Sequence, residues 1–151
     1  KVYMTRENDV DLSEGDGGNS KVQDLKRRCE MVRKIQPDCV LSIHQNSYPE
    51  EAIHGAQVFY YEDSSEGKKL AEILQKHLVE VLDKENHRQA KGNRTYYMLK
   101  KTEATLVIVE CGFLSNNQEA LLLTDEKYQN KVAKAICSGT LEYLSSLAEK
   151  K

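Results

Sequence analysis

Short apolar runs alternate along the chain with stretches of helical spacing. An apolar run without polar alternation predicts a strand that is buried on both faces, and apolar residues spaced three and four apart predict a helix with one buried face. The predicted strands are residues 1–5, 39–43, 55–61 and 106–109. The predicted helices are residues 20–36, 70–82 and about 117–123, with a last helix that starts at residue 124 or 125.

Polar segments separate these elements. Residues 6–20 are acidic and rich in glycine, and residues 84–95 are polar and basic, so both are predicted to be surface loops. Residues 96–99 fit either a short strand or an irregular segment. Asp63 with Glu66 is predicted to cap the second helix, and residues 115–118 are predicted to form the capping box of the third.

This alternation of strands and helices predicts the fold class. Strands that are separated by helices form mainly parallel sheets, and right-handed crossovers place the helices on both faces. The chain is therefore predicted to be a three-layer α/β/α domain with a mostly parallel sheet.

Composition narrows the range of functions. Charged residues make up 30% of the 151 residues and the net charge is −2, so no basic excess points to nucleic acid or to an anionic membrane. No apolar stretch is long enough to span a membrane. The four cysteines include no CxxC pair, which argues against a zinc knuckle or a disulfide framework and favours free thiols.

An acid follows the longest buried run. Glu110 comes directly after residues 106–109, and Cys111-Gly112-Phe113 is predicted to turn the chain there. Open α/β sheets place their ligands at the carboxyl ends of strands, so Glu110 is a candidate catalytic residue. The alternative is an acid at an exposed strand end that forms an ion pair without a catalytic role.

A histidine occupies the equivalent place after the second predicted strand. If that strand and the last one are neighbours, His44 and Glu110 lie at the same edge of the sheet. An imidazole binds Zn²⁺ and a free carboxylate takes a proton from metal-bound water, so the pair suits a hydrolytic metal site. A histidine at a strand end is also often a structural residue with a hydrogen bond, and that alternative stays open.

Two blocks of residues carry a resemblance to a known family. Residues 42–46, Ser-Ile-His-Gln-Asn, and residues 109–116, Val-Glu-Cys-Gly-Phe-Leu-Ser-Asn, resemble the signature of the zinc-dependent N-acetylmuramoyl-L-alanine amidases of the type-3 class. The resemblance covers essentially the whole chain and is nearest to the spore-cortex type. It extends to Thr5-Arg6 with Asp9, to Asp24-Leu25 with Arg28, and to residues 55–60.

The resemblance implies a fold, a reaction and two residue roles. The fold would be phosphorylase/hydrolase-like, with His44 as a zinc ligand and Glu110 as the glutamate that activates water and then protonates the leaving amine. The substrate would be peptidoglycan, cut at the amide between N-acetylmuramic acid and L-alanine. Such an enzyme would act outside the cytoplasm, in the cell wall or spore cortex of a bacterium. Some family members need an activator protein, so one is a possible partner here.

The chain departs from the family pattern in one respect. The family's first strand, which ends in a Gly-His-Gly motif, and the glutamate that follows supply two further zinc ligands, and neither is present in residues 1–151. We therefore expect an N-terminally incomplete amidase domain that lacks a central strand and has little activity alone. The alternatives are a non-catalytic peptidoglycan-binding or regulatory module and, more weakly, a zinc carboxypeptidase-like enzyme.

Three further residues are candidates for substrate binding, and each has a plainer alternative. Asn46 and Gln57 lie near the predicted site, although amide side chains often only hold loops in place. Arg94 lies in the basic loop, where it could contact the glycan or the carboxylates of the stem peptide, or simply face solvent. Cys111 is next to Glu110, but adjacent strand residues point to opposite faces, so it is predicted to be a core residue and not a nucleophile.

Overall fold

The computed structural model describes residues 1–13 and 20–149. These residues contain four strands and five helices. The strands are β1 Val40–Asn46, β2 Gln57–Tyr61, β3 Lys91–Asn93 and β4 Leu106–Phe113. The helices are α1 Ser20–Ile35, α2 Ser65–Leu82, α3 Tyr97–Lys101, α4 Asn117–Thr124 and α5 Glu126–Ala148.

The sheet is arranged around β4, and every residue of that strand is buried. Strand β1 pairs with it in parallel on one side, and β2 pairs with it antiparallel on the other. Strand β3 then pairs in parallel with β2, which gives the order β1-β4-β2-β3. Two of the three pairings are parallel, so the prediction of a mostly parallel sheet is confirmed.

Helices cover both faces of the sheet. Val107, Val109 and Cys111 pack into a core with α2 and α5, whereas Leu106 and Ile108 pack into a second core with α1 and α3. Successive residues of a strand point to opposite faces, so one strand supplies both cores. The three-layer α/β/α prediction is confirmed.

The α2–α5 contact is close because α5 carries a glycine at the crossing. A Cβ on Gly139 would lie 2.9 Å from the Cδ2 atom of Leu74, which itself is completely buried. Helix α2 presents Leu70, Leu74 and Leu78 to this core, as its spacing predicts. The predicted cap at Asp63 is wrong, because the N-cap is Ser64, whose side chain accepts the N–H of Gly67.

Several predicted segments differ from the structure. Residues 1–5 form no strand, and Val2, Tyr3 and Met4 stay exposed because no described strand pairs with them. Arg28 instead holds this segment to α1 through a 2.8 Å bond to the Thr5 hydroxyl. All three glycines in the predicted loop 6–20 lie at residues 14–19, outside the described part of the chain.

The second predicted loop is also partly regular. Residues 84–95 contain the short strand β3, which forms only because β2 offers it a pairing edge. Residues 96–99 are neither a strand nor irregular, since α3 starts at Tyr97. None of the helices in the described residues combines the length and the apolar character needed to cross a bilayer.

Candidate functional site

His44 and Glu110 lie opposite each other on neighbouring strands. Their Cα atoms are register partners in the β1–β4 ladder, where strands run about 4.8 Å apart. Val40, four positions before His44, and Ile108, two positions before Glu110, lie in the core formed with α1 and α3. Strand residues an even number of positions apart share a face, so His44 and Glu110 belong to that face too. The condition on which the predicted site depends, that the two strands are neighbours, is met, and the chemical roles of the two residues stay predictions.

The strand does not end at Glu110. Strand β4 continues to Phe113, so the predicted turn at residues 111–113 is wrong. The register shifts between His44 and Asn46, so that Cys111 and Gly112 of β4 together face the single residue Gln45 of β1 in a bulge. Gly112 has φ +156° there, a conformation that side chains disfavour. A bulge directly after Glu110 bends the strand and aims the side chains beside it.

Glu110 is a buried acid without a complete set of partners. Its residue is 7% exposed, and its Oε2 atom accepts no hydrogen bond from any described group. Burial raises the pKa of the Glu110 carboxyl. A buried carboxylate oxygen without a partner is costly, so Glu110 is a candidate for proton transfer or ligand binding.

His44 has protein on one side and solvent on the other. Desolvation on its protein side lowers the pKa of the His44 imidazole, and the positive charges of Arg28 and Lys21 lower it further. Its Nε2 atom lies 2.9 Å from the Ser42 hydroxyl. These surroundings favour the neutral imidazole, which is the form that binds metal ions.

Gln57 borders Glu110 on the other side. It is the register partner of Glu110 in the antiparallel β2–β4 ladder and is 9% exposed. Its Nε2 donates to the Gln89 carbonyl at 2.9 Å, and its Oε1 accepts from Nη1 of Arg88 at 3.0 Å. The amide therefore lies at the site, but protein groups occupy both of its ends.

Asn46 ends β1 at the same edge of the sheet. Its side-chain oxygen accepts the N–H of Ser47 at 2.8 Å, and its carbonyl accepts the N–H of Leu114 at 2.8 Å. The first bond belongs to a local turn. The structure thus brings Asn46 near His44, and the side chain also performs the loop-holding role that was the plainer alternative.

Arg94 is not brought to this edge. It follows β3 at the opposite end of the strands, since Asn93 pairs with Tyr61 at the carboxyl end of β2. Its guanidinium forms ion pairs with Glu62 and Asp63, both at 2.8 Å. A substrate role for Arg94 in the same site as Glu110 therefore receives no support from the geometry.

Glu119 is a site residue that sequence reasoning missed. Its Oε2 accepts the N–H of Phe113 at 2.8 Å, and its Oε1 accepts the N–H of Gly55 at 2.9 Å. It thereby joins the end of β4 to the segment that leads into β2. The capping box predicted at residues 115–118 lies one residue too early. The N-cap of α4 is Asn116, whose side chain accepts the N–H of Glu119.

Cys111 points away from this site. It is 4% exposed and packs in the core with α2 and α5, which confirms the prediction of a core residue. Burial raises the pKa of the Cys111 thiol to about 11, and the charge of Glu110 adds to the rise. The thiol therefore stays protonated at neutral pH and is not available as a nucleophile.

The described residues do not complete a zinc site. Zn²⁺ in a catalytic site takes three protein ligands and a water molecule. Within residues 1–13 and 20–149, no group of three histidine, cysteine or acidic side chains is placed to hold a metal ion. His44 alone among the described residues was predicted as a zinc ligand, and no reaction step is derived through the metal.

The fold and the pair at its edge define a member of a hydrolase family. The family model for N-acetylmuramoyl-L-alanine amidase matches residues 1–142, and the chain belongs to that family. It is 39% identical over 147 residues to the germination-specific N-acetylmuramoyl-L-alanine amidase of Bacillus subtilis (strain 168), covering 95% of this chain and 62% of that protein. It is also 30% identical over 130 residues to N-acetylmuramoyl-L-alanine amidase LytC of the same organism, covering 83% of this chain and 25% of that protein.

Solved structures show the same fold. The CwlD amidase from Clostridioides difficile, solved in complex with the GerS lipoprotein, has a TM-score of 0.92 at 38% identity, covering 96% of this chain and 76% of that chain. The catalytic domain of CwlV from Bacillus (Paenibacillus) polymyxa has a TM-score of 0.81 at 28% identity, covering 96% and 73%. The chain spans less than two thirds of the length of the curated relatives it matches.

Proposed function

We propose that the protein containing this chain hydrolyses the amide bond between N-acetylmuramic acid and L-alanine in peptidoglycan. The observation that carries the proposal is the pairing of Glu110 with His44 across β1 and β4, with one buried Glu110 oxygen left without a partner. Membership of the amidase family supports it. The relatives named above are amidases, so they give no support to a non-catalytic module or to a carboxypeptidase.

Glu110 is assigned the proton transfers of this reaction. Hydrolysis of an amide needs a base that takes a proton from the attacking water and an acid that protonates the leaving amine. A carboxyl group whose pKa is raised by burial can perform both steps in turn. Gln57 lies beside Glu110 in the sheet, and the bulge at Gly112 bends the strand directly after it.

Zinc is the proposed cofactor of the complete protein, with His44 as one of its ligands. When bound, zinc would polarise the substrate carbonyl and lower the pKa of a coordinated water. The remaining ligands would come from chain that the structure does not describe. The outer edge of β1 supports this, because no described strand pairs with it and Ile43 is 51% exposed there. An added strand on that edge would satisfy its open backbone groups.

Location and partners follow from the relatives and are also proposals. The germination-specific relative supports action on spore cortex peptidoglycan, outside the cytoplasm. The complex of the CwlD amidase with the GerS lipoprotein supports an accessory protein for this amidase too. Co-expression of the complete protein with lipoproteins encoded by the same genome, followed by co-purification, would test for such a partner.

The hydrolysis test compares residues 1–151 with the complete protein on purified cortex peptidoglycan. We expect the complete protein to bind zinc and release L-alanine-terminated peptides, and residues 1–151 to do neither. Glu110→Gln should abolish hydrolysis while zinc stays bound, and His44→Ala should lose the zinc. Glu72→Gln, at an exposed ion pair with Lys68, is the control. Full activity of Glu110→Gln, or equal activity of the two proteins, would refute the proposal.

A further inference from the structure

Arg88 lies at the same end of the sheet as Glu110 and is held rigidly there. Its Nε donates to the His54 carbonyl at 2.6 Å and its Nη1 donates to Oε1 of Gln57 at 3.0 Å. The centre of its guanidinium lies 4.8 Å from the centroid of the Phe113 ring, a distance typical of a cation–π contact. Three segments of chain thus fix one positively charged group.

This guanidinium has no acidic partner, unlike two other arginines of the molecule. Arg28 is paired with Asp24, and Arg94 is paired with two acids. Arg88 forms no ion pair with any residue in the described ranges, and there its Nη2 has no hydrogen-bond acceptor. Nearby, the carboxylate of Glu119 accepts the N–H groups of Phe113 and Gly55 instead. A fixed, partly exposed arginine without a carboxylate is ready to bind one from a ligand.

The position of Arg88 links it to the proposed reaction. It donates to Gln57, and Gln57 is the register partner of Glu110. The guanidinium is therefore one side chain away from the proposed catalytic carboxylate, along the edge that leads from β4 to β3. A substrate whose amide lies at Glu110 would extend its peptide past Gln57 toward Arg88 if the peptide follows this edge.

We propose that Arg88 determines specificity by binding a carboxylate of the substrate's peptide, one or two residues beyond the bond that is cut. This inference rests on the proposed function and adds a substrate feature to it. The stem peptide of peptidoglycan supplies such groups, because its second residue is a glutamate whose α-carboxyl is free in some walls and amidated in others. A planar guanidinium binds a carboxylate through two parallel hydrogen bonds, and a carboxamide cannot accept both.

The test uses two muropeptides that differ only in whether the carboxyl of the second stem residue is free or amidated. For the complete protein, we expect KM to be about 10-fold lower for the free acid, the scale of a charged hydrogen bond, with similar kcat. Arg88→Gln should raise KM for the acid to that of the amide and leave the amide unchanged. Arg88→Lys should restore part of the KM difference between acid and amide. Lysine keeps the positive charge but cannot form the two parallel hydrogen bonds of a guanidinium.

Arg33→Gln is the matched control, because it removes an exposed arginine from α1. Equal KM values for both muropeptides with the unmodified protein would overturn the inference without any variant. An equal loss on both muropeptides in Arg88→Gln would show a structural role only, and would also overturn it.

Binding measurements separate this inference from the proposed function. Calorimetry of the two muropeptides with Glu110→Gln, which should bind without turnover, tests the carboxylate preference directly. If the unmodified protein hydrolyses neither muropeptide, the proposed function fails. If Glu110→Gln binds both equally, the assignment of Arg88 fails.

Discussion

Glu119 should contribute more to stability than Asp125, which caps helix α5. It accepts two backbone N–H groups, those of Phe113 at 2.8 Å and Gly55 at 2.9 Å. A hydrogen bond to a charged group contributes about 1.5–3 kcal/mol, and both donors lie on buried residues. Glu119→Ala should therefore lower the free energy of unfolding by about 3–5 kcal/mol. That is a large fraction of the ~5–15 kcal/mol typical of a domain.

The assay is urea unfolding, with Asp125→Ala as the matched control. Asp125 caps α5 and accepts a single N–H, that of Tyr128 at 2.8 Å, at an exposed position. Its removal should cost only about 1 kcal/mol. Amide hydrogen exchange should show lost protection at Gly55 and Phe113 in Glu119→Ala alone. A loss of stability no greater than that of Asp125→Ala would refute the reasoning.

Three other perturbations have defined outcomes. Arg28 holds the pKa of Asp24 below its usual value, so this pair stabilises the fold above about pH 4 and the contribution disappears as the pH falls further. Unfolding of Asp24→Asn followed against pH should show a shallower acid decline than the unmodified chain. Gly139→Ala should lower the melting temperature, because crowding of the new Cβ against Leu74 costs about 1–3 kcal/mol. This cost outweighs the ~1 kcal/mol by which alanine favours a helix over glycine. Leu78→Ala, at a completely buried position, should cost about 2–5 kcal/mol in urea unfolding, and a cost below 1 kcal/mol would contradict the packing described for α2.

The parts of the fold that depend on local pattern were predictable. The apolar run at residues 106–109 identified the central strand, and the apolar run before His44 identified the strand that pairs with it in parallel. The spacing of leucines located α2. In each case the side chains alone determine which face must be buried.

The parts that depend on distant contacts were not predictable. Strand β4 runs past Gly112, and the capping signal near Asn116 does not show that Glu119 accepts the N–H of Phe113. Strand β3, Lys-Gly-Asn, has no strand propensity and exists because β2 offers it an edge. Residues 1–5 have strand propensity and stay unpaired among the described elements.

The candidate site shows the same division. Glu110 and His44 were chosen as candidates because each follows an apolar run, and the structure makes them register partners, whereas the position of Arg94 could not be predicted. Arg94 is separated from the site because β2 runs antiparallel to β4, which places the end of β3 at the far edge. Arg88 was overlooked because its role depends on Gln57 and Phe113, which are distant in sequence.

The central place of β4 has a consequence for how the protein is made. Strands β1 and β2 have no contact with each other in the sheet except through β4, which lies late in the chain. During synthesis, β1 and β2 therefore wait without their main pairing partner, with the apolar side chains of two strands uncovered. The four-stranded sheet closes only after residue 113 has left the exit tunnel, so it forms late relative to the synthesis of its first two strands.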